Sequence, residues 1–293
     1  MKGGFKVPEG LTEFDVRDYD THRPMNDEDA EGVLEANIEA LNILQQKLYG
    51  AARNGLVIVF QAMDAAGKDG TIRKVFSGMN PQGFLVSSFK KPSSRELAHD
   101  YLWRVSRQLP SRGRIGVFNR SHYEEVLVTR VHPEYILGQS IPGIERLDQI
   151  DRAFWRRRYR NIREWERYLH ETGYKMIKFF LHVSKEEQKS RFLKRMKKPE
   201  KHWKFSLGDL HERQHWDAYM EAYSDAIRET STADSPWFII PADDKDYMRA
   251  CVSDVVRATM ERMDLSYPEA TAKQIKDIEE AHRILDAESK QQE

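Results

Sequence analysis

This sequence predicts an α/β fold, a parallel sheet of about five strands with helices on both faces, and three observations carry that reading. From residue 56 onward, short apolar runs alternate with helical stretches, the pattern of linked βαβ units. The first run, Leu-Val-Ile-Val-Phe-Gln over 56–61, is apolar almost throughout, as in a central strand covered on both faces. It opens into small residues, then Gly67-Lys68, then a helix start. That order of buried strand, tight loop and helix N-terminus is the grammar of a phosphate-binding loop.

The elements follow in order. Residues 1–25 hold Pro8, Gly10 and Pro24 among scattered acids and read as an extended arm on the surface or on a neighbouring subunit. Asn26-Asp-Glu-Asp29 caps a helix with acids in its first turn. Leu34, Ile38, Leu41, Leu44 and Leu48 give that helix one buried face, and Gly55 ends the region. After the loop, a helix is expected over 71–79 and a strand over 83–89. A helix from Ser93 or Ser94 to Pro110 and a strand over 114–118 come next. A long helix over 144–170 places Ile144, Leu147, Ile150, Phe154, Ile162, Trp165 and Leu169 inward. Then come a strand over 175–183, a helix over 184–195 with Ser184 and Glu187 as a capping box, a basic connector over 197–204, a helix over 206–229, a strand over 237–241 and a helix over 243–263. A charged helix over 267–293 closes the chain. No linker divides it, so 1–293 reads as one domain, with 185–229 as the lid region.

Composition narrows the function. Lys+Arg and Asp+Glu are equal at 47 each, so bulk charge gives no reason to expect nucleic acid or an anionic membrane as partner. The charge is unevenly spread, however: residues 185–204 carry nine Lys/Arg against three Asp/Glu. The single cysteine, Cys251, excludes an intramolecular disulfide and reads as a small core residue. No leader-like apolar segment follows Met1, and no apolar run is of membrane-spanning length. The reading is a soluble cytoplasmic protein.

Ligands of open α/β sheets bind at the carboxyl ends of the strands, and three such ends carry polar chemistry. The first is Asp64-Ala65-Ala66-Gly67-Lys68-Asp69-Gly70-Thr71. Its backbone N–H groups and Lys68 suit phosphate oxygens. It departs from the usual G-x-x-x-x-G-K-[ST] pattern: Ala62 stands at the first Gly, and Asp69 stands where a metal-binding Ser/Thr is usual. The second is Asn119 to Glu125. Arg120 can clamp phosphate; Glu124 reads equally as a capping-box partner of Ser121, and His122 reads more readily as structural than catalytic. The third is the basic connector with its flanking helix, including Arg191, Arg195 and Lys204, either a solvated face or a lid that closes on phosphate. Arg73, Lys74, Lys90 and Lys91 add positive charge and suggest a long anionic substrate.

Met63-Asp-Ala-Ala-Gly-Lys-Asp-Gly70, Leu102-Trp-Arg104, Phe118-Asn-Arg-Ser-His-Tyr-Glu-Glu-Val-Leu127 and Pro199-Glu-Lys-His-Trp-Lys-Phe205 closely resemble the polyphosphate kinase 2 family. The resemblance runs from about residue 10 to residue 265, and the Asn-Arg-Ser-His-Tyr-Glu form is similar to its class III. It implies a three-layer P-loop kinase fold similar to thymidylate kinase, with a helical basic lid. It also implies inorganic polyphosphate as donor, AMP and ADP (with GMP and GDP) as acceptors, Mg²⁺ or Mn²⁺, and a dimer or tetramer. By this resemblance Asp64, Lys68 and Arg120 match the family's catalytic positions, and Glu125 stands where close relatives often have Asp, keeping the carboxylate on an arm one methylene longer; Asp64 and Glu125 are the expected metal ligands. Arg104 and Arg130 fall in the matching region and join the expected substrate-binding set. Two rival functions remain at this stage. One is an ATP-dependent nucleoside monophosphate kinase on the same core. The other is a non-catalytic binder of polyphosphate or nucleic acid.

Overall fold

The computed structural model describes residues 5–23, 26–204 and 206–290. Its five strands are β1 (Gly55–Gln61), β2 (Phe84–Ser88), β3 (Ile115–Asn119), β4 (Tyr174–His182) and β5 (Trp237–Pro241). They form one parallel sheet in the order β2-β3-β1-β4-β5. β1 is central and every residue of it is buried, which is why its sequence lacks a polar alternate face. The chain builds the sheet on one side of β1, then crosses to the other for β4 and β5. The carboxyl end of β1 lies at that reversal, where such sheets bind ligands.

The helices are α1 (Asp27–Ala51), α2 (Lys68–Val75), α3 (Ser94–Leu97), α4 (Trp103–Ser106), α5 (Glu124–Val131), α6 (Glu134–Leu137), α7 (Arg152–Glu171), α8 (Lys185–Met196), α9 (Leu207–Glu212), α10 (Trp216–Thr230), α11 (Lys245–Glu261) and α12 (Ala272–Lys290). α1, α2 and α11 form one packed layer; α5, α7 and α10 form the other. The expected inner face of α1 is in place, with Leu34, Leu41 and Leu48 buried. Cys251 is buried, as expected of a core residue. Among the described residues, no helix is long and apolar enough to cross a membrane.

Several boundaries differ from the sequence reading, each for a local reason. The helix expected over 71–79 is α2, which begins at Lys68 because Gly67, at φ 115°, turns the chain into it. The segment after Ser93 is two short helices. Its start has the capping box of Ser93 and Glu96. The Asp100 carboxylate then accepts from Leu102 N–H at 2.9 Å and restarts the helix. The long helix expected from residue 144 begins at α7. The Gln149 side chain takes the N–H groups of Glu145 and Arg146, and Asp151 caps Phe154 N–H at 2.8 Å. Ser184 caps Glu187 N–H at 3.0 Å, but the Glu187 carboxylate pairs with Arg191 and the reciprocal half of a capping box is not made. The stretch over 206–229 divides into α9 and α10 through a tight 3₁₀ turn at Arg213–His215.

The N-terminal arm lies on the chain's own sheet. Val7 N–H donates to Trp237 O at 2.9 Å, and Ile239 N–H donates to Phe5 O at 3.0 Å. The arm so covers the free edge of β5, with Val7 and Val16 buried beneath it. Pro24 and the preceding Met1–Gly4 lie outside the described residues.

Candidate active site

The loop between β1 and α2 is shaped by two left-handed residues, Ala65 at φ 60° and Gly67 at φ 115°. Such a turn points successive N–H groups to one side and makes a concavity for anions. Gly67 has a second reason to lack a side chain: a Cβ there would meet Met248 Cε at 3.2 Å. Lys68 folds over the loop, its Nζ donating to Ala62 O at 2.8 Å and Met63 O at 3.4 Å. Burial, then the nearby Arg120 guanidinium, push its ammonium down to about 8, against the pull of Asp64, Glu124 and Asp69. The Thr71 hydroxyl faces inward and donates to Gly67 O at 3.1 Å, so it steadies the helix start. Ala66 is likewise buried.

Opposite the loop stands the turn after β3. Arg120 adopts φ 63°, and this left-handed step turns its side chain toward the loop. Its Nη2 donates to Asp64 Oδ1 at 2.7 Å, and its Nη1 lies 3.8 Å from Glu124 Oε2. Glu124 first, then Asp64, raise the guanidinium above its ordinary range, against the cost of burial. Burial pushes the Glu124 carboxyl up, opposed by Arg120 and Lys68, and Gln61 donates to its Oε1 at 3.1 Å. Asn119 Nδ2 donates to Asp69 Oδ1 at 2.8 Å, which ties the end of β3 to the first turn of α2. Asp64, Lys68, Asp69, Asn119, Arg120 and Glu124 therefore form one cluster.

Four expected members sit elsewhere. Glu125, expected as a metal ligand with Asp64, points away from the loop because it is one residue round the helix from Glu124. It is 4% exposed. Its Oε2 accepts from Gln139 at 2.6 Å and pairs with Arg158 at 3.3 Å. His122 is fully buried against Glu166 and Trp165, the structural alternative. Arg104 is buried over the Phe89 ring and donates to Lys90 O at 2.9 Å. Arg130 lies over Trp155 and pairs with Asp225 at 3.4 Å.

Arg191 needs a different correction. It is not an open cation of the connector. From α8 it donates to Ala65 O, Ala66 O, Ala242 O and Asp243 O at 2.6 to 3.2 Å, and to Glu187 at 2.8 Å. It braces the back of the loop by taking the carbonyls of Ala65 and Ala66, while the Ala66 N–H donates to Met63 O at 3.3 Å. Gln188 adds a bond to Asp64 O at 2.9 Å.

Of the remaining cations, Arg73, Lys74, Lys90 and Lys91 are exposed and Arg195 is half-buried. Arg73 and Lys74 lie in the last turn of α2, beyond the loop. Lys90 and Lys91 follow β2, whose end pairs with Asn119. Arg195 pairs with Asp209 at 3.6 Å. The side chain of Lys204 lies outside the described residues, as does Phe205.

Sequence reasoning missed Asp209. Burial raises its carboxyl, followed by the charge of Asp64, while Arg195, Arg120 and Lys68 oppose the rise. It therefore lies within electrostatic reach of the cluster from α9, and no spacing rule could have brought it there. Gln61 was findable: it is the polar residue that ends the otherwise apolar strand β1. Among the described residues no group of three His, Cys, Asp or Glu side chains is placed to hold a metal ion.

Comparison with known proteins bears on the chain as a whole. The family model described as Polyphosphate kinase 2 matches residues 25–268. An ADP-polyphosphate phosphotransferase of Rhodopseudomonas palustris is 54% identical over 84% of this chain and 84% of its own length. An AMP/ADP-polyphosphate phosphotransferase of Meiothermus ruber is 44% identical over 87% of this chain and 92% of its own. The crystal structure of polyphosphate kinase 2 from Arthrobacter aurescens TC1 superposes with a TM-score of 0.84 at 35% identity, covering 98% of this chain and 99% of the other. A P-loop nest faced by an arginine turn, on a chain matched over most of its length, makes this protein a member of the polyphosphate kinase 2 family.

Proposed function

We propose that the protein transfers the terminal phosphoryl group of inorganic polyphosphate to AMP and ADP, giving ADP and ATP. The single observation that carries this reading is the 2.7 Å pair between Arg120 and Asp64, which sets a phosphate clamp directly across from the loop N–H groups. Phosphoryl transfer needs positioning and charge neutralisation more than covalent chemistry. Lys68 and Arg120 neutralise the transferring group, and the loop N–H groups hold the donor oxygens. Glu124 pairs with Arg120 and holds it toward the loop. Acceptor phosphates are already ionised near neutral pH, so no strong general base is required. The connector over 197–204 closes over the chain and excludes water, which limits hydrolysis.

The residues at the loop suit Mg²⁺, or Mn²⁺, in one mode. Asp64 is a partly exposed carboxylate on the loop, whereas Glu125 is committed to Arg158 and Gln139. Magnesium often takes one or two carboxylates and completes its shell with water and substrate phosphate. Asp64 would hold it, and the ion would supply charge neutralisation between donor and acceptor oxygens.

The name of the Meiothermus ruber relative carries both AMP and ADP, which supports a class III activity, and that of the Rhodopseudomonas palustris relative carries ADP. Exposed apolar side chains on edge strand β2, Leu85 and Val86, support a homo-oligomer. Nucleotide acceptors fit a cytoplasmic location. The test is product analysis with AMP, ADP, GMP and GDP as separate acceptors, polyphosphate as donor and ATP left out. Formation of ADP from AMP and ATP from ADP is expected. Phosphorylation only when ATP is supplied would favour the ATP-dependent kinase instead, and salt-sensitive binding without product would favour a binding module.

A further inference from the structure

A buried polar network lies directly beneath the Arg120 turn. Lys178, in the middle of β4, is fully buried, and so is Glu166 of α7. Lys178 Nζ donates to Glu166 Oε2 at 2.6 Å, to Thr230 O at 2.8 Å and to the Tyr123 hydroxyl at 3.0 Å. Tyr123 in turn donates to Glu166 Oε1 at 2.7 Å, and His122 Nε2 lies 3.3 Å from the same oxygen. Trp237 Nε1 of β5 donates to Thr230 Oγ1 at 2.9 Å, which lies 2.9 Å from the Tyr123 hydroxyl. Residues 122 and 123 thus reach into the core and are tied to α7, β4, β5 and the end of α10.

The charges are held as a pair. Burial alone would raise the Glu166 carboxyl, but the Lys178 ammonium and the His122 contact outweigh it and keep it below its ordinary range. Such a pair is a weak source of stability, because desolvation takes back most of the attraction. Apolar residues of similar size often serve a fold equally well. What directional bonds provide, and apolar contact does not, is a fixed position. The turn they anchor needs one. Arg120 sits in a left-handed conformation at φ 63°, which a non-glycine residue keeps only when its surroundings over-determine it. On the near side, Arg120 N–H donates to Phe60 O at 3.0 Å, and Ser121 Oγ accepts from Tyr123 N–H at 3.2 Å. On the far side the anchor is the network.

We infer that Lys178 and Glu166, acting through Tyr123 and His122, are positioning residues that aim Arg120 and Glu124 at the phosphate-binding loop. They touch no substrate. The inference rests on the reading of Arg120 as a phosphate-contacting group.

The test replaces the pair with apolar residues, Lys178→Met with Glu166→Leu, so that no buried charge is left alone. A second variant, Tyr123→Phe, removes only the link. Both are assayed with AMP, polyphosphate and Mg²⁺, with folding checked by circular dichroism at the assay temperature. The expected result is a kcat lower by about 10-fold or more, the scale on which small misplacements act, with KM for both substrates within twofold. A smaller fall in kcat, or a change confined to KM, overturns the inference. Should the paired variant fail to fold, Tyr123→Phe decides by the same criterion. Arg120→Ala separates the two levels. Retained turnover in Arg120→Ala removes the reading of Arg120 itself. Lost turnover there, with near-normal kcat in the network variants, removes only the positioning role.

Discussion

At the scale of single residues, Asp64 carries two duties, a bond to Arg120 and an open carboxylate edge on the loop. Its pair with Arg120 is partly exposed on both sides, and such pairs contribute at most about 1 kcal/mol to folding. Asp64→Asn is therefore expected to leave the melting temperature nearly unchanged while turnover falls by at least about 100-fold, the scale of a lost transition-state contact. Thermal denaturation beside a product assay checks both halves. Lys68 gives a pH signature. Its ammonium in the folded chain titrates at about 8, against an ordinary 10.5. Between those values the unfolded chain binds more protons, so this group's contribution to stability rises as pH climbs from about 8 toward 10.5. Phosphate binding runs the other way, because it needs the proton. Polyphosphate affinity is expected to fall as pH rises above about 8, and Lys68→Met is expected to lose that dependence; isothermal titration at pH 7, 8 and 9 reads both. Much of this was legible. The Gly67-Lys68 pair announced the loop, and Arg120 stood out at a strand end. The choice between Glu124 and Glu125 was not legible. Adjacent helical residues point about 100° apart, and only the packing of Arg158 and Gln139 decides which one turns inward.

At the scale of elements, α8 is the back wall of the site. Arg191 satisfies carbonyls of the loop and of the β5–α11 turn at once, so it couples two crossovers that are far apart in sequence. Arg191→Met would leave those carbonyls short of a charged donor. A stability loss of roughly 2–4 kcal/mol is expected, with a fall in kcat/KM, and Arg191→Lys should recover only part of it because an ammonium cannot reproduce the fork. Urea denaturation measures the first effect. In the sequence, Arg191 was one cation among nine in a basic run, with nothing to mark it as buried. Lys178 was more visible: a lysine inside Met-Ile-Lys-Phe-Phe-Leu has to find a buried partner. Strands were legible because β1, β4 and β5 are apolar and short. Helix starts were less so, since Asp100 and Asp151 act as caps within stretches whose apolar periodicity continues across them.

At the scale of the whole molecule, the arm is packed into the sheet's own core and hydrogen-bonded to β5. Val7 and Val16 are buried, and the arm's backbone covers the edge of β5. Removing residues 1–20 is expected to cost roughly 3–6 kcal/mol from the two valines alone, to lower the melting temperature, and to promote aggregation through the uncovered edge. Calorimetry and light scattering test this; an unchanged melting temperature would show that the arm is only laid on the surface. The arm's extended character could be read from Pro8 and Gly10, but not its partner, because pairing with β5 joins residues more than 200 positions apart.

The central claim is that the loop and the Arg120 turn act together on polyphosphate and a nucleotide. It is tested most directly by incubating AMP with polyphosphate and Mg²⁺, without ATP, using the unaltered protein and Asp64→Asn side by side, and following ADP by chromatography. ADP is expected from the unaltered protein and almost none from the folded variant. Near-equal ADP from the two, or none from either, would contradict it.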